Sequence, residues 1–236
     1  MCCFCHSINK RRLLFHPSTM AFVSMLPVTR GAHAAPPLPS EIVGIRIPDS
    51  SLTRDANIVV HGAAPSVLYN HSLRTFVLGM LYAQQHPEPI DEEAAFVASI
   101  LHDIGLTSTF SGDDLRTFEE NGAEYAKKFL GDRRISSDRV EKVAKAIELH
   151  AGAARGMGPD IEFVMNGAWR DLVGPSVKEV STEQLAAIEA AVPRLQFKIA
   201  FPAILKEHGT HNKNLTWTEN FGREPPLSFR QSRWSE

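Results

Sequence analysis

The pair His102-Asp103, at the end of the apolar run Val97 to Leu101, is where this sequence can do chemistry. His71 stands thirty-one residues upstream, and His150 and Asp171 follow downstream. An imidazole beside a carboxylate in apolar company is costly unless each finds a partner, because burial strips both of water. A metal ion satisfies both. His71, His102, Asp103 and Asp171 supply two neutral nitrogens and two anionic oxygens, which suits zinc, iron or manganese and leaves positions for water or substrate. Two carboxylates also neutralise a divalent ion, so the site brings little net charge into a core.

Gathering these side chains requires elements whose inner ends converge, and the pattern of the chain is helical. Ser51 to Gly62 can open with a Ser or Thr cap. Ser66 to about Gln85 follows, with Val67, His71, Leu78 and Tyr82 on one side, so His71 is expected to point inward. Pro87 and Pro89 interrupt, and Asp91 caps a helix that is apolar almost all round, as expected of a central buried helix. Gly105 is expected to stop it just beyond His102-Asp103. After a polar loop through Asp113, further helices are expected over Leu115 to Leu130 and from Ser136 or Ser137 to His150. Three more follow: Ile161 to Val173 with Asp171 near its end, Thr182 to Ala191, and Leu195 to Glu207. The fold class is all-α, a helical bundle in which facing side chains build a metal site.

The chain has 236 residues, 43% hydrophobic and 22% charged, enough for one good-sized core. A net charge of −2, without a dense Lys/Arg stripe, argues against nucleic acid or membrane partners and leaves a small molecule as the expected one. Association into a homo-oligomer through an apolar helix face stays open. Cys2, Cys3 and Cys5 crowd the N-terminus, so the body rests on no disulfide or cysteine-ligated zinc. Residues 1–40 read as a flexible extension with a Pro36, Pro37 and Pro39 linker, 41–221 as the metal-binding domain and 222–236 as a tail. Lys10-Arg11-Arg12, Ala21 to Val28 and Ala32-His33-Ala34 imitate a secretory signal, but His16 to Thr19 interrupt it. Met20 is an alternative start, and a cytoplasmic location is expected.

The ordered set resembles the HD-domain superfamily of metal-dependent hydrolases, with a histidine, a His-Asp pair and a distal aspartate on an all-helical scaffold. Here the pattern is His71 within YNHSLR, His102 and Asp103 within LHDIGLTSTF, and Asp171 within WRDLVG. Tyr69-Asn70-His71-Ser72 with Arg74, the LHDIG run, Leu149-His150-Ala151-Gly152, and Pro193-Arg194-Leu195 with Phe197-Lys198 resemble the cyanamide hydratase branch over residues 42 to 221. The resemblance implies one metal ion, zinc or iron, with His150 beside the open coordination side as the catalytic residue. It also implies that Asn70, Ser72 and Arg74 sit behind the ligands or in helix packing, and that LTSTF helps to line the pocket.

A divalent ion lowers the pKa of bound water from near 16 toward about 7 and polarises an electrophile. His150, with an ordinary pKa near 6.5, would take and return the proton. Three readings follow: a hydrolase or hydratase using metal-bound hydroxide at a carbon-nitrogen bond, a phosphohydrolase, and a helical module with a structural metal closed by four ligands. Phosphate needs a basic rim, and the sequence offers Arg74, Arg155 and Arg170 near the ligands. Each candidate also has a simpler role. His102-Asp103 can end its helix, His71 can be a hydrogen-bonded core histidine, His150 can interact with its own helix end, and Asp171 can pair with Arg170.

Overall fold

The computed structural model describes residues 37–86, 88–112, 115–211 and 221–235. The cysteines, the signal-like stretch, Met20, Pro36, Pro87 and Asp113-Asp114 lie outside the described residues. The described chain begins with a small antiparallel pair that the helical pattern does not foreshadow, β1 (Glu41–Ile42) and β2 (Ile45–Arg46). Everything beyond is helical, as the fold class requires.

Helix α1 (Ser51–Ala63) opens on a reciprocal cap: the Ser50 hydroxyl accepts from the Thr53 N–H, and the Thr53 hydroxyl accepts from the Ser50 N–H. Helix α2 (Ser66–Ala83) is central. Leu68, Phe76, Val77 and Leu78 are buried on it, together with the polar His71, Ser72, Arg74 and Thr75. Helix α3 (Glu92–Leu101) is held at its start by the Asp91 carboxylate, which accepts from the Ala94 N–H at 3.1 Å. Its Phe96 meets Phe76 of α2 edge-on at 5.1 Å, a favoured aromatic geometry. Helices α4 (Phe118–Gly131) and α5 (Ser137–Glu148) pack as a pair beside α3, and α6 (Pro159–Val173) runs along α2. Gly167 permits that approach, since a Cβ there would lie 2.0 Å from the Thr75 carbonyl oxygen. Helices α7 (Thr182–Ala191), α8 (Phe197–His211) and α9 (Leu227–Arg230) complete the described body. Among the described residues, no helix is long and apolar enough to cross a membrane.

Four details differ from the sequence reading. Helix α4 begins at Phe118 rather than Leu115, because Thr117 and Glu120 form a capping box that fixes its first turn. Helix α8 begins at Phe197 rather than Leu195, because Leu195 and Gln196 hold φ of 56° and 59°, a left-handed conformation that no helix continues through. Gly105 is not a left-handed stop. It lies in the 3-10 turn Ile104–Leu106, where a Cβ would stand 2.1 Å from the Phe118 carbonyl oxygen, so glycine is needed for close approach of α4. Finally, residues 222–235 are a folded return rather than a loose tail. Phe229 and Trp234 are buried, the Lys198 ammonium donates to the Ser232 and Trp234 carbonyls, and Arg233 donates to the Pro175 carbonyl at 2.8 Å.

Gly105→Ala should cost about 1–3 kcal/mol or more, by forcing the 3-10 turn and α4 apart. Gly62→Ala, near the end of α1 with open space around the new methyl, should be neutral or stabilise by up to about 1 kcal/mol. Urea unfolding of both variants checks the contrast.

Candidate metal centre

The site forms where helices end. His71 projects from the middle of α2, and His102 is the residue just past α3. Neighbouring residues of a regular helix diverge by about 100°, yet His102 Nε2 lies 3.3 Å from Asp103 Oδ2. They converge because the chain leaves the α-helix between them: Asp103 takes φ −101° and ψ 11° and begins the 3-10 turn. Asp103 Oδ2 also lies 3.5 Å from His71 Nε2, and the two Nε2 atoms are 3.3 Å apart. His150, two residues past the end of α5, places Nε2 3.6 Å from Asp103 Oδ1 and its ring edge-on to that of His102 at 4.8 Å.

The proton on each ring follows from the partner of its other nitrogen. His102 Nδ1 donates to the Ser99 carbonyl at 2.7 Å and His150 Nδ1 to the Ile147 carbonyl at 2.6 Å. Carbonyl oxygens only accept, so both Nδ1 atoms carry hydrogen. His71 Nδ1 donates to Asp171 Oδ2 at 2.7 Å. In the neutral rings every Nε2 is therefore a bare lone pair. Two of these converge with Asp103 Oδ2, a buried carboxylate oxygen with no hydrogen-bond partner. A cation among the three relieves this repulsion. Their separations of 3.3–3.5 Å match the edge of a tetrahedral shell with bonds of about 2.0–2.1 Å, roughly 3.4 Å. His71, His102 and Asp103 are thus a donor set that fits a divalent metal.

The structure places Asp171 behind His71, on the Nδ1 side away from these donors. Arg74 Nε and Nη2 donate to its two oxygens at 2.7 and 2.9 Å, and Arg194 Nη1 donates to Oδ1 at 2.9 Å and to the Asp171 carbonyl at 3.1 Å. Both carboxylate oxygens thus accept two hydrogen bonds each from protein. The simpler alternative for Asp171, an ion pair with Arg170, does not form, since that side chain turns to Glu179 and stacks on Tyr82. Arg74 also donates to the Val192 and Pro193 carbonyls, and Asn70 Nδ2 to Pro193 at 2.7 Å, which puts both behind the ligands. The left-handed pair Leu195-Gln196 then delivers Phe197, whose ring stacks on His71 at 4.8 Å.

Electrostatics follow this geometry. Burial pushes the Asp103 carboxyl up, but in the metal-free site the imidazoles of His102, His150 and His71, where they carry a proton on Nε2, outweigh it and hold it well below the usual range. Burial likewise opposes ionisation of Asp171, and Arg74 and Arg194 overcome it. Burial lowers the His71 pKa despite Asp171 beside it. Burial works against a charged His150 too, but Asp103 and Glu119 reverse the sign and raise it.

Sequence reasoning did not find Glu119. It reads as an ordinary acidic residue in a first helical turn, yet it is buried, with one unpartnered oxygen and a pKa raised by burial. Phe118 lines the site, whereas none of residues 106–110 of the LTSTF segment does. Nor did the chain pattern foretell that Arg194 reaches Asp171, because no local signal marks a contact between such distant residues.

An all-helical scaffold that gathers a histidine and a His-Asp pair into one buried donor set defines a metal-site protein of the hydrolase type. The HD domain family profile matches residues 68–185, half of the chain, and the chain belongs to that family, within the metal-dependent hydrolase superfamily. Among curated proteins, none matches the sequence.

Asp171→Asn should destabilise the fold by about 3–5 kcal/mol, because two buried guanidinium groups lose their counter-charge. The depressed Asp103 and Asp171 contribute stability that is complete above about pH 4 and is lost as pH falls toward their lowered folded values. Denaturant titrations of metal-stripped protein from pH 6 to 3 should show that acid loss, with a shallower slope for Asp171→Asn.

Proposed function

We propose that this HD-family protein is a hydrolase or hydratase acting at a carbon-nitrogen bond of a small molecule, in the manner of the cyanamide hydratase branch. A single divalent ion serves it, zinc or iron ahead of manganese, held by His71 Nε2, His102 Nε2 and Asp103. Asp171, expected from sequence as a fourth ligand, orients His71 from behind, an arrangement known to fix the tautomer of metal-bound histidines. The observation that carries this reading is that the donor set opens on a cavity of about 330 Å³, with His71, Asp103 and His150 in its lining.

A bound divalent ion supplies an acidified water and polarises the electrophile. The chain does the rest. His71 and His102 present bare Nε2 atoms, and the Asp171 and Ser99 oxygens hold the rings in place. His150 faces the cavity beside Asp103 with Nδ1 anchored, so Nε2 is the atom that takes a proton from the attacking water and returns it to the departing or newly formed nitrogen group.

The lining speaks against the phosphate reading. Of the three cations near the ligands in sequence, Arg74 is spent on Asp171 and Arg170 on Glu179, which leaves Arg155 as the one arginine among the described residues of the cavity wall. A phosphate ester would need more positive partners. A purely structural metal is disfavoured by the cavity itself, since structural sites are closed.

Elemental analysis should find about one equivalent of zinc or iron per chain, lost with activity in His102→Ala. His150→Gln should keep the metal and lower kcat by about 10²–10⁴-fold on a nitrile or amide. Two equivalents with turnover of phosphate esters, or activity that survives loss of metal, would overturn the reading.

A further inference from the structure

Among the described residues the cavity pairs a cluster of titratable side chains with a mainly apolar wall, in which Arg155 and Asn166 are the other polar side chains. His71, Asp103 and His150 form that cluster, while Phe118, Met165, Trp169, Leu172, Phe201 and Phe221 supply most of the remaining wall. Phe118 stands edge-on to His150 at 5.7 Å, and Phe201 lies 5.4 Å from the His71 ring. The apolar wall therefore begins at the histidines themselves rather than at a distant rim. Phe201 is also fixed, stacked on Phe197 at 4.8 Å and 22°. Trp169, two residues before Asp171 on α6, is 54% exposed and carries the apolar surface outward. A large aromatic side chain left in water is unremarkable alone but informative beside a cavity.

Size sharpens the point. A volume of about 330 Å³ corresponds to roughly ten water molecules at about 30 Å³ each. Cyanamide has three non-hydrogen atoms and would leave most of that space to water. Water against aromatic and aliphatic walls finds few hydrogen-bond partners, and its displacement by an apolar group is favourable.

We infer that the substrate is an apolar, preferably aromatic, body of roughly ten non-hydrogen atoms with one neutral carbon-nitrogen function at its end, and not cyanamide itself. This rests on the proposed carbon-nitrogen chemistry for the identity of the reacting end, and on the cavity wall for the body. The reacting function lies at the histidines and Asp103, and the body lies along Phe118, Phe201 and Trp169. For a nitrile, water adds across the triple bond: oxygen joins carbon, nitrogen ends with both protons, and the product is the primary amide. No other co-reactant is required.

The test uses the full-length, metal-loaded protein with cyanamide, acetonitrile and benzonitrile as substrates. In parallel, acetamide and benzamide are titrated calorimetrically as non-reacting ligands. The expected result is a kcat/KM at least tenfold higher for benzonitrile than for acetonitrile or cyanamide, and at least tenfold tighter binding of benzamide than of acetamide. Trp169→Ala and Phe201→Leu should each shrink both ratios while the metal content stays at the wild-type value. If no nitrile reacts but benzamide keeps its advantage and Trp169→Ala removes it, the apolar-body inference stands and the carbon-nitrogen reading fails. If cyanamide or acetonitrile is the best substrate and benzamide binds no tighter than acetamide, the carbon-nitrogen reading stands and this inference is overturned.

Discussion

The buried Asp171 carboxylate is the constraint on which the rest of the site depends. It lies at the meeting point of three chain segments: its own α6, α2 through His71 and Arg74, and the connection between α7 and α8 through Arg194. Two guanidinium groups and an anion taken out of water are costly, and the cost is offset only because the donors meet both carboxylate oxygens at hydrogen-bond distance. The same carboxylate decides which nitrogen of His71 carries the proton, and so which nitrogen faces the donor set. Fold stability and site chemistry thus share one interaction.

A second principle is the use of helix ends. His102, Asp103, Phe118, His150 and Phe197 all sit at or within two residues of a helix terminus, where the chain departs from helical geometry and neighbouring side chains can converge. Helix ends also present unpaired carbonyl groups. The Ser99 and Ile147 carbonyls receive the Nδ1 protons of His102 and His150 and fix their tautomers at no expense of additional side chains. Close approach at the 3-10 turn and along α2 and α6 is set by Gly105 and Gly167, where backbone meets backbone.

Much of this was legible in the sequence. The helical order, the inward direction of His71 and the pairing of His102 with Asp103 at a helix end follow from periodicity and from the expense of burying polar groups beside an apolar run. The placement of Asp171 was less legible. Its type and position suited a ligand, and nothing local distinguishes a carboxylate that touches a metal from one that orients the histidine touching it. Glu119 was hidden for a similar reason: acidic residues are common in first helical turns, and only the packing of α4 against its neighbours buries this one.

The sequence by itself determined the helices, their caps and the inventory of donors, because hydrophobic period, capping chemistry and side-chain type are local properties. Tertiary structure alone decided which donors converge, which arginines are consumed in holding Asp171, and which side chains remain to face the cavity. Those outcomes depend on distances between residues as far apart as Arg74 and Asp171, or Asn70 and Pro193. No local interaction encodes such distances; they arise only when the helices pack and exclude water between them.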